Sequence, residues 1–228
     1  MIGFGVCVAS AKRYEAFAYR GIERVRTQDP DLALIVVHDA NSLPEGYNRI
    51  LAEARSLARL DALVLCHEDT EITDPSFVAK VRQVLSDDQV AIAGVVGARG
   101  LTGIAWWEAE GYGRLVETRG ALDFRCYEAD VEMLDGCILV LSAWAVANLS
   151  FDEERYVGFH GYDADICFEA RSQAKRVVVT QMDVVHHNRP GLGDREAFTA
   201  ADAAFRAKWG LPEGQHSFPE GRCDGRSM

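Results

Sequence analysis

The sequence predicts an α/β fold: a mostly parallel central sheet flanked by helices. Three observations predict it. Short runs such as "LALIVVHD", "DALVLC" and "VAIAGVVGA" are apolar on both faces, as in strands buried on both sides. Stretches with apolar residues at helical spacing separate them, the alternation that builds crossover connections. With 228 residues, 48% of them apolar, the chain can also enclose one sizeable core.

"GFGVCVAS" opens as a strand and leads into a helix over Ala11 to Arg26, where Tyr14, Phe17, Ala18 and Ile22 fall near one face. "LALIVVHD" is the second strand, "GYNRILAEARSLARL" a helix and "DALVLC" the third strand. Asp74 and Pro75 make a helix start, a capping carboxylate followed by proline at the first helical position, before "SFVAKVRQVL". "VAIAGVVGA" follows as a fourth strand.

From Arg99 to Asp130 glycines alternate with Trp106, Trp107, Tyr112 and Tyr127, which predicts loop and short antiparallel strand. "EMLDGCILVLSAWAV" reads as a strand and short helix, and "GFHGYDADICFEARSQAK" as a glycine-rich turn and helix. "RVVVTQMDVVHH" reads as one further strand and "REAFTAADAAFRAKW" as a closing helix. One domain over residues 1–212 and a polar tail over 213–228 are expected.

Twenty-four basic residues against 35 acidic ones give a net charge of −11, with no basic stripe, which argues against a nucleic-acid partner. Six cysteines without a CxxC pair read as reduced core thiols. No apolar stretch approaches the ~20 residues of a membrane span, and the start lacks a secretion-signal layout. A cytoplasmic location is expected.

Polar clusters stand where strands end: His38 with Asp39, then His67, Glu68 and Asp69, then Asp163 with Asp165, then His186 with His187. In open α/β sheets ligands bind outside the carboxyl ends of the strands, where the loops diverge. The carboxylates of His67–Asp69 suit Mg²⁺ or Mn²⁺, ions held by one or two carboxylates plus substrate phosphates. Ending a strand in water explains the same polarity without any ion. Adjacent strand residues point to opposite faces, so only one of His186 and His187 is expected to aim at a given ligand. Asp163 and Asp165 fall in the first turn of a helix, where carboxylates cap; two apart, they point differently, so one can cap while the other faces a crevice. Trp106 and Trp107 are either core aromatics or platforms for a sugar or base.

The motifs "GYNRILAEA", "LVLCHEDTEITDPSF", "VAIAGVVGARG", "WWE", "VEMLDGCILVLS", "FDEERYVGFHGYDADICFEAR", "VVVTQMDVVHHNRPG" and "FRAKW" stand in the order found in a known family. Over about residues 2–209 the chain resembles glycosyltransferases of the GT-A fold, family-2-like, in a subgroup related to a streptomycin-cluster protein. The resemblance implies a Rossmann-like nucleotide-diphospho-sugar transferase fold, with a donor half over 1–98 and an acceptor half over 99–212. It implies a nucleotide-sugar donor, Mn²⁺ or Mg²⁺ on its diphosphate, and transfer to an acceptor hydroxyl, such as that of a saccharide, glycolipid or small molecule, with inversion.

By the same resemblance, Asp69 with His186 or His187 would hold the metal. His67 stands where the family carries an aspartate. Ala9, Ser10, Asp39, Asn48, His67 and Glu68 would line the donor site. Asp163 would be the general base. Trp106, Trp107, Glu108, Asp135, His160 and Asp165 would border the acceptor, with Asp165 nearer a helix support. Two rival readings use the same residues: a sugar-nucleotide-binding protein without turnover, and a metal-dependent phosphoesterase or nucleotidyltransferase. A nucleotidyltransferase would carry a glycine-rich basic loop after the first strand, and "ASAKRYEAF" has Lys12 and Arg13 but no glycines, which counts against it.

Overall fold

The computed structural model describes residues 1–188 and 194–213. The tail from residue 214, with Cys223, and residues 189–193 lie outside them.

The chain runs β1 (Ile2–Val8), α1 (Ala11–Ala16), α2 (Ala18–Arg26), β2 (Ala33–His38), α3 (Leu43–Ala54), β3 (Ala62–His67), β4 (Thr70–Ile72), α4 (Phe77–Val84) and β5 (Val90–Gly94). It continues with β6 (Val96–Arg99), a 3-10 turn (Trp106–Glu108), β7 (Glu110–Glu117), β8 (Gly120–Asp123), β9 (Ala129–Asp130), β10 (Met133–Leu134) and β11 (Ile138–Ser142). Then come α5 (Ala143–Asn148), α6 (Tyr162–Ser172), β12 (Arg176–Val179), β13 (Val184–His186) and α7 (Arg195–Trp209).

The main sheet has the order β2-β1-β3-β11-β5-β12-β9. It is mixed rather than purely parallel, because β11 lies antiparallel between β3 and β5 and β9 closes one edge antiparallel to β12. All of β3 is buried, as its unbroken apolar run requires. Leu63 and Leu65 are wholly enclosed, and burying each contributes on the order of 2 kcal/mol.

A second sheet, β10-β6-β7-β13-β4 with β8 beside β7, joins β7 and β8 of the irregular middle segment to β4 and β6 before it and β10 and β13 after it. "RVVVTQMDVVHH" therefore does not form one strand: Thr180 to Asp183 break it, so that β12 joins the main sheet and β13 the second.

Two further expectations are corrected. The first helix divides at Phe17, whose backbone leaves helical geometry (φ −127°, ψ −77°) and lays its ring on the imidazole of His187, centroids 3.9 Å apart. Asp74 does not cap α4, which starts after Ser76. Its buried carboxylate instead accepts from Ser76 N, Asp183 N and Lys80 Nζ, tying the loop after β4 to the one before β13.

Among the described cysteines none is paired; Cys66, Cys137 and Cys167 are buried, Cys7 half-buried and Cys126 exposed. Burial pushes the Cys7 and Cys66 thiols up to about 12, so both stay protonated and inert. No helix among the described residues is long and apolar enough to cross a membrane.

Candidate functional site

Strand register brings three distant segments together. β13 pairs with β4 so that His186 lies opposite Thr70, the residue after Asp69, and with β7 so that His186 lies opposite Glu117. The His187 N–H then donates to the Asp69 carbonyl at 2.8 Å. Donor atoms of His67, Asp69 and His186 all fall within 4.8 Å of one another. Two imidazoles and a carboxylate converging in a partly enclosed pocket suit a divalent transition ion. Nε2 of His186 faces Asp69 Oδ1 at 3.3 Å, while its buried Nδ1 lies 3.7 Å from Glu117 Oε1 and has no hydrogen-bond partner among the described residues. Asp135 and Cys137 form a neighbouring group that shares His186.

The charges follow from this crowding. Burial opposes a charged His186, but Asp69 at 3.3 Å and Glu117 outweigh it and raise the imidazole to about 9. His67 is driven the other way, to about 4, by burial and by the neighbouring His186, and is neutral. Burial would also raise Asp69; His186, His67 and Arg13 instead hold it well below the usual carboxylate range. Arg13 had no place in the sequence reading of the site. Its Nη2 donates to Asp69 Oδ2 at 2.6 Å and to the His187 carbonyl, so its guanidinium neutralises Asp69 at the pocket wall.

The first turn of α6 supplies the next group. The preceding Gly161 has φ 85°, left-handed geometry that lets the chain turn sharply into the helix. Asp163 then accepts from Gly136 N at 3.1 Å and Ala164 N at 3.0 Å, which fixes both oxygens. Burial, and next the nearby Asp135, raises its pKa to about 7; the backbone donors offset part of that rise. Asp165, two residues on, points away: it bonds Lys208 Nζ at 2.8 Å and Trp209 Nε1 at 2.9 Å, anchoring α7. The expectation that Asp165 borders the acceptor is corrected, while the divergence of the two aspartates follows helix geometry.

Two clefts meet at the His67–Asp69 motif. The larger, about 500 Å³, lies between the ends of β1 and β2 and is lined by Ala9, Asp39, Ser42, His67, Glu68 and Phe159, among others. Asp39 adopts φ 58° there, a left-handed conformation that places an exposed carboxylate at the rim. The second, about 330 Å³, is lined by Trp106, Trp107, Asp135, His160, Asp163 and His186 along with the shared motif. Trp107 directs its ring toward Phe198, centroids 5.5 Å apart, and its buried Nε1 has no hydrogen-bond partner among the described residues.

Other expected positions play a different part or sit elsewhere. The N–H groups of Ala9 and Ser10 are taken by Glu68 Oε2 at 2.8 and 2.7 Å, so Glu68 shapes the β1–α1 turn and leaves neither N–H for a ligand. Asn48 is a clamp, donating to the Phe151 carbonyl and accepting from Phe151 N, both at 2.9 Å, away from either cleft. Glu108 is exposed and lines neither cleft. His187 faces away from the cluster, with Nε2 3.0 Å from Glu71, whose carboxylate also holds Arg20 and Arg24. The alternation of strand side chains settles which histidine joins Asp69: it is His186.

Arg13, Glu117, Gly136 and Tyr162 were not singled out from sequence. Gly136 carried a signal, an isolated glycine opening a strand, which marks close approach of another group. A Cβ there would stand 2.1 Å from Tyr162 Oη and 3.1 Å from Asp163 Cβ. Gly136→Ala is therefore expected to push the first turn of α6 outward, lowering the melting temperature by several degrees and abolishing any turnover. Thermal unfolding beside a product assay checks this, and a Gly136→Ala variant of unaltered stability would show that the turn has room.

Comparison with known proteins agrees with this architecture. Residues 3–196 match the family described as "Glycosyltransferase like family". Over 192 residues the chain is 33% identical to the streptomycin biosynthesis protein StrF of Streptomyces griseus, covering 82% of this chain and 67% of StrF. Among solved structures it is similar to the mannosyltransferase PcManGT of Pyrobaculum calidifontis in complex with GDP-Man and Mn²⁺, TM-score 0.57, 14% identity, covering 93% of this chain and 65% of that one. GalNAc-T7 with UDP, GalNAc and Mn²⁺ is similar at TM-score 0.56 and 8% identity, covering 85% of this chain and 44% of that one. The fold is that of GT-A glycosyltransferases, and the chain belongs to the glycosyltransferase-like family.

Proposed function

We propose that the protein is a metal-dependent, inverting glycosyltransferase that moves a sugar from a nucleotide-diphosphate sugar to an acceptor hydroxyl. The observation that carries this reading is the meeting of the two clefts at His67–Asp69, with Asp163 in the second cleft only. A donor lying in the larger cleft places its diphosphate at that junction, beside the cluster and Arg13. Asp39 at the rim of the larger cleft suits the polar edge of the base or ribose.

His67, Asp69 and His186 would hold the cation; when bound, it neutralises charge developing on the leaving diphosphate. Two imidazole donors depart from the all-oxygen surroundings typical of Mg²⁺ and favour a transition ion such as Mn²⁺. Two bound neighbours of the same fold carry Mn²⁺. Asp163, raised to about 7, accepts the proton of the acceptor hydroxyl as it attacks the anomeric carbon from the second cleft. Direct attack assisted by one base inverts the anomeric centre. Trp106, Trp107 and His160 supply the apolar wall for the acceptor.

A thermal-shift screen of UDP-, GDP-, dTDP- and CDP-sugars, each with Mn²⁺ and with EDTA, tests the reading. A native-state ligand at a hundred times its Kd adds about 2.7 kcal/mol of stability. One base is expected to stabilise in Mn²⁺ alone; no shift across the panel would favour a protein that does not use these donors.

Metal binding is also expected to release protons. Without metal, His186 is stabilised as imidazolium: its raised pKa contributes stability fully present below about 6.5 and lost as pH rises through about 9. A cation must displace that proton, so Mn²⁺ binding at pH 7.5 releases about one proton and tightens as pH rises toward 9. Calorimetry in two buffers of different ionisation enthalpy reads the number directly, and equal enthalpies in both would contradict it.

A further inference from the structure

We propose that Tyr162 is a positioning residue that fixes the tautomer of His67 and thereby turns this histidine into a metal donor. The inference rests on the metal-dependent reading above and deepens it at one ligand.

His67 is buried, and its Nε2 lies 2.6 Å from Tyr162 Oη. The same hydroxyl lies 3.3 Å from the Gly136 carbonyl, to which it can only donate. A hydroxyl carries one hydrogen. Spent on that carbonyl, it leaves the oxygen as acceptor for an Nε2–H of His67, and both contacts are satisfied. Nδ1 is then the nitrogen with the free lone pair, as a metal-facing imidazole requires.

The seat of the tyrosine is built for this contact. Its ring is buried, edge-on to Tyr47 at 5.6 Å and against Phe151 at 6.0 Å. Its hydroxyl lies in the notch that the missing side chain of Gly136 leaves open. Tyr162 immediately precedes Asp163, so one turn of α6 orients the metal-facing histidine and presents the carboxylate of the second cleft. An aspartate at position 67 would need no such partner, since either oxygen can ligate; a histidine does.

The test is two-bond ¹H–¹⁵N NMR of histidine-labelled protein, with Mn²⁺ affinity measured by EPR on wild type, Tyr162→Phe, His67→Ala and the double variant. Expected are an Nε2–H tautomer for His67 in metal-free wild type and a tautomer mixture in Tyr162→Phe. Mn²⁺ affinity should fall about 10- to 100-fold in Tyr162→Phe, with little further loss when His67→Ala is added to it. A wild-type Nδ1–H tautomer overturns the inference, and that spectrum decides even if Tyr162→Phe fails to fold. Affinity unchanged in Tyr162→Phe but lost in His67→Ala overturns it while leaving the metal reading intact. Wild type that binds no Mn²⁺ overturns both.

Discussion

Asp163→Asn is expected to slow sugar transfer by about 10² to 10⁴, the share a positioned general base supplies, while Mn²⁺-dependent donor binding stays nearly unchanged. Both oxygens of Asp163 accept backbone N–H bonds, so the amide variant keeps one and loses one, at about 1 kcal/mol of stability. The fold tolerates that loss, and the chemistry does not. The wild-type rate should also fall as pH drops through about 7, since a protonated carboxyl cannot take the acceptor's proton. An unperturbed aspartate would leave the rate level down to about pH 5. Steady-state rates across that range, with donor affinity measured in parallel, check both statements. A variant as active as wild type would remove Asp163 from the role.

Asp69→Ala should remove the only carboxylate of the three-donor group and release Arg13 from its 2.6 Å contact. Donor affinity measured in Mn²⁺ is expected to drop at least about tenfold, to the value wild type shows in EDTA, a change of about 1.4 kcal/mol or more. In EDTA the variant and wild type should bind donor alike. Loss of affinity in EDTA as well would mean that Asp69 holds the cleft in shape rather than the cation.

Most strands of the first half were legible because fully buried parallel strands leave an unbroken apolar signature, as β3 does. The expected single strand "VAIAGVVGA" is corrected, since it splits at Val95 into β5 of the main sheet and β6 of the second. The second sheet was not legible. β8 and β13 are short, β7 is partly exposed, and seating β13 between β4 and β7 depends on contacts such as that of Thr70 with His186 that no local pattern encodes. The same limit applies at the site. His67, Asp69 and Asp163 could be picked out because polar groups at strand and helix ends stand out against apolar runs. Glu117 and Arg13 could not, since nothing in "RLVET" or "AKRYE" marks them until β7 and α1 are placed beside β13. Ala9, Ser10 and Glu68 were assigned to the donor site from the family resemblance; Ala9 and Glu68 do line the larger cleft, but the N–H groups of Ala9 and Ser10 are already taken by Glu68.

The most direct measurement is calorimetry of wild-type protein with the nucleotide sugar that stabilises it, titrated in Mn²⁺ and again in EDTA. Binding at least about tenfold tighter in Mn²⁺, with the difference abolished in Asp69→Ala, is the expected result. Equal affinity with and without metal would contradict a cation held by His67, Asp69 and His186.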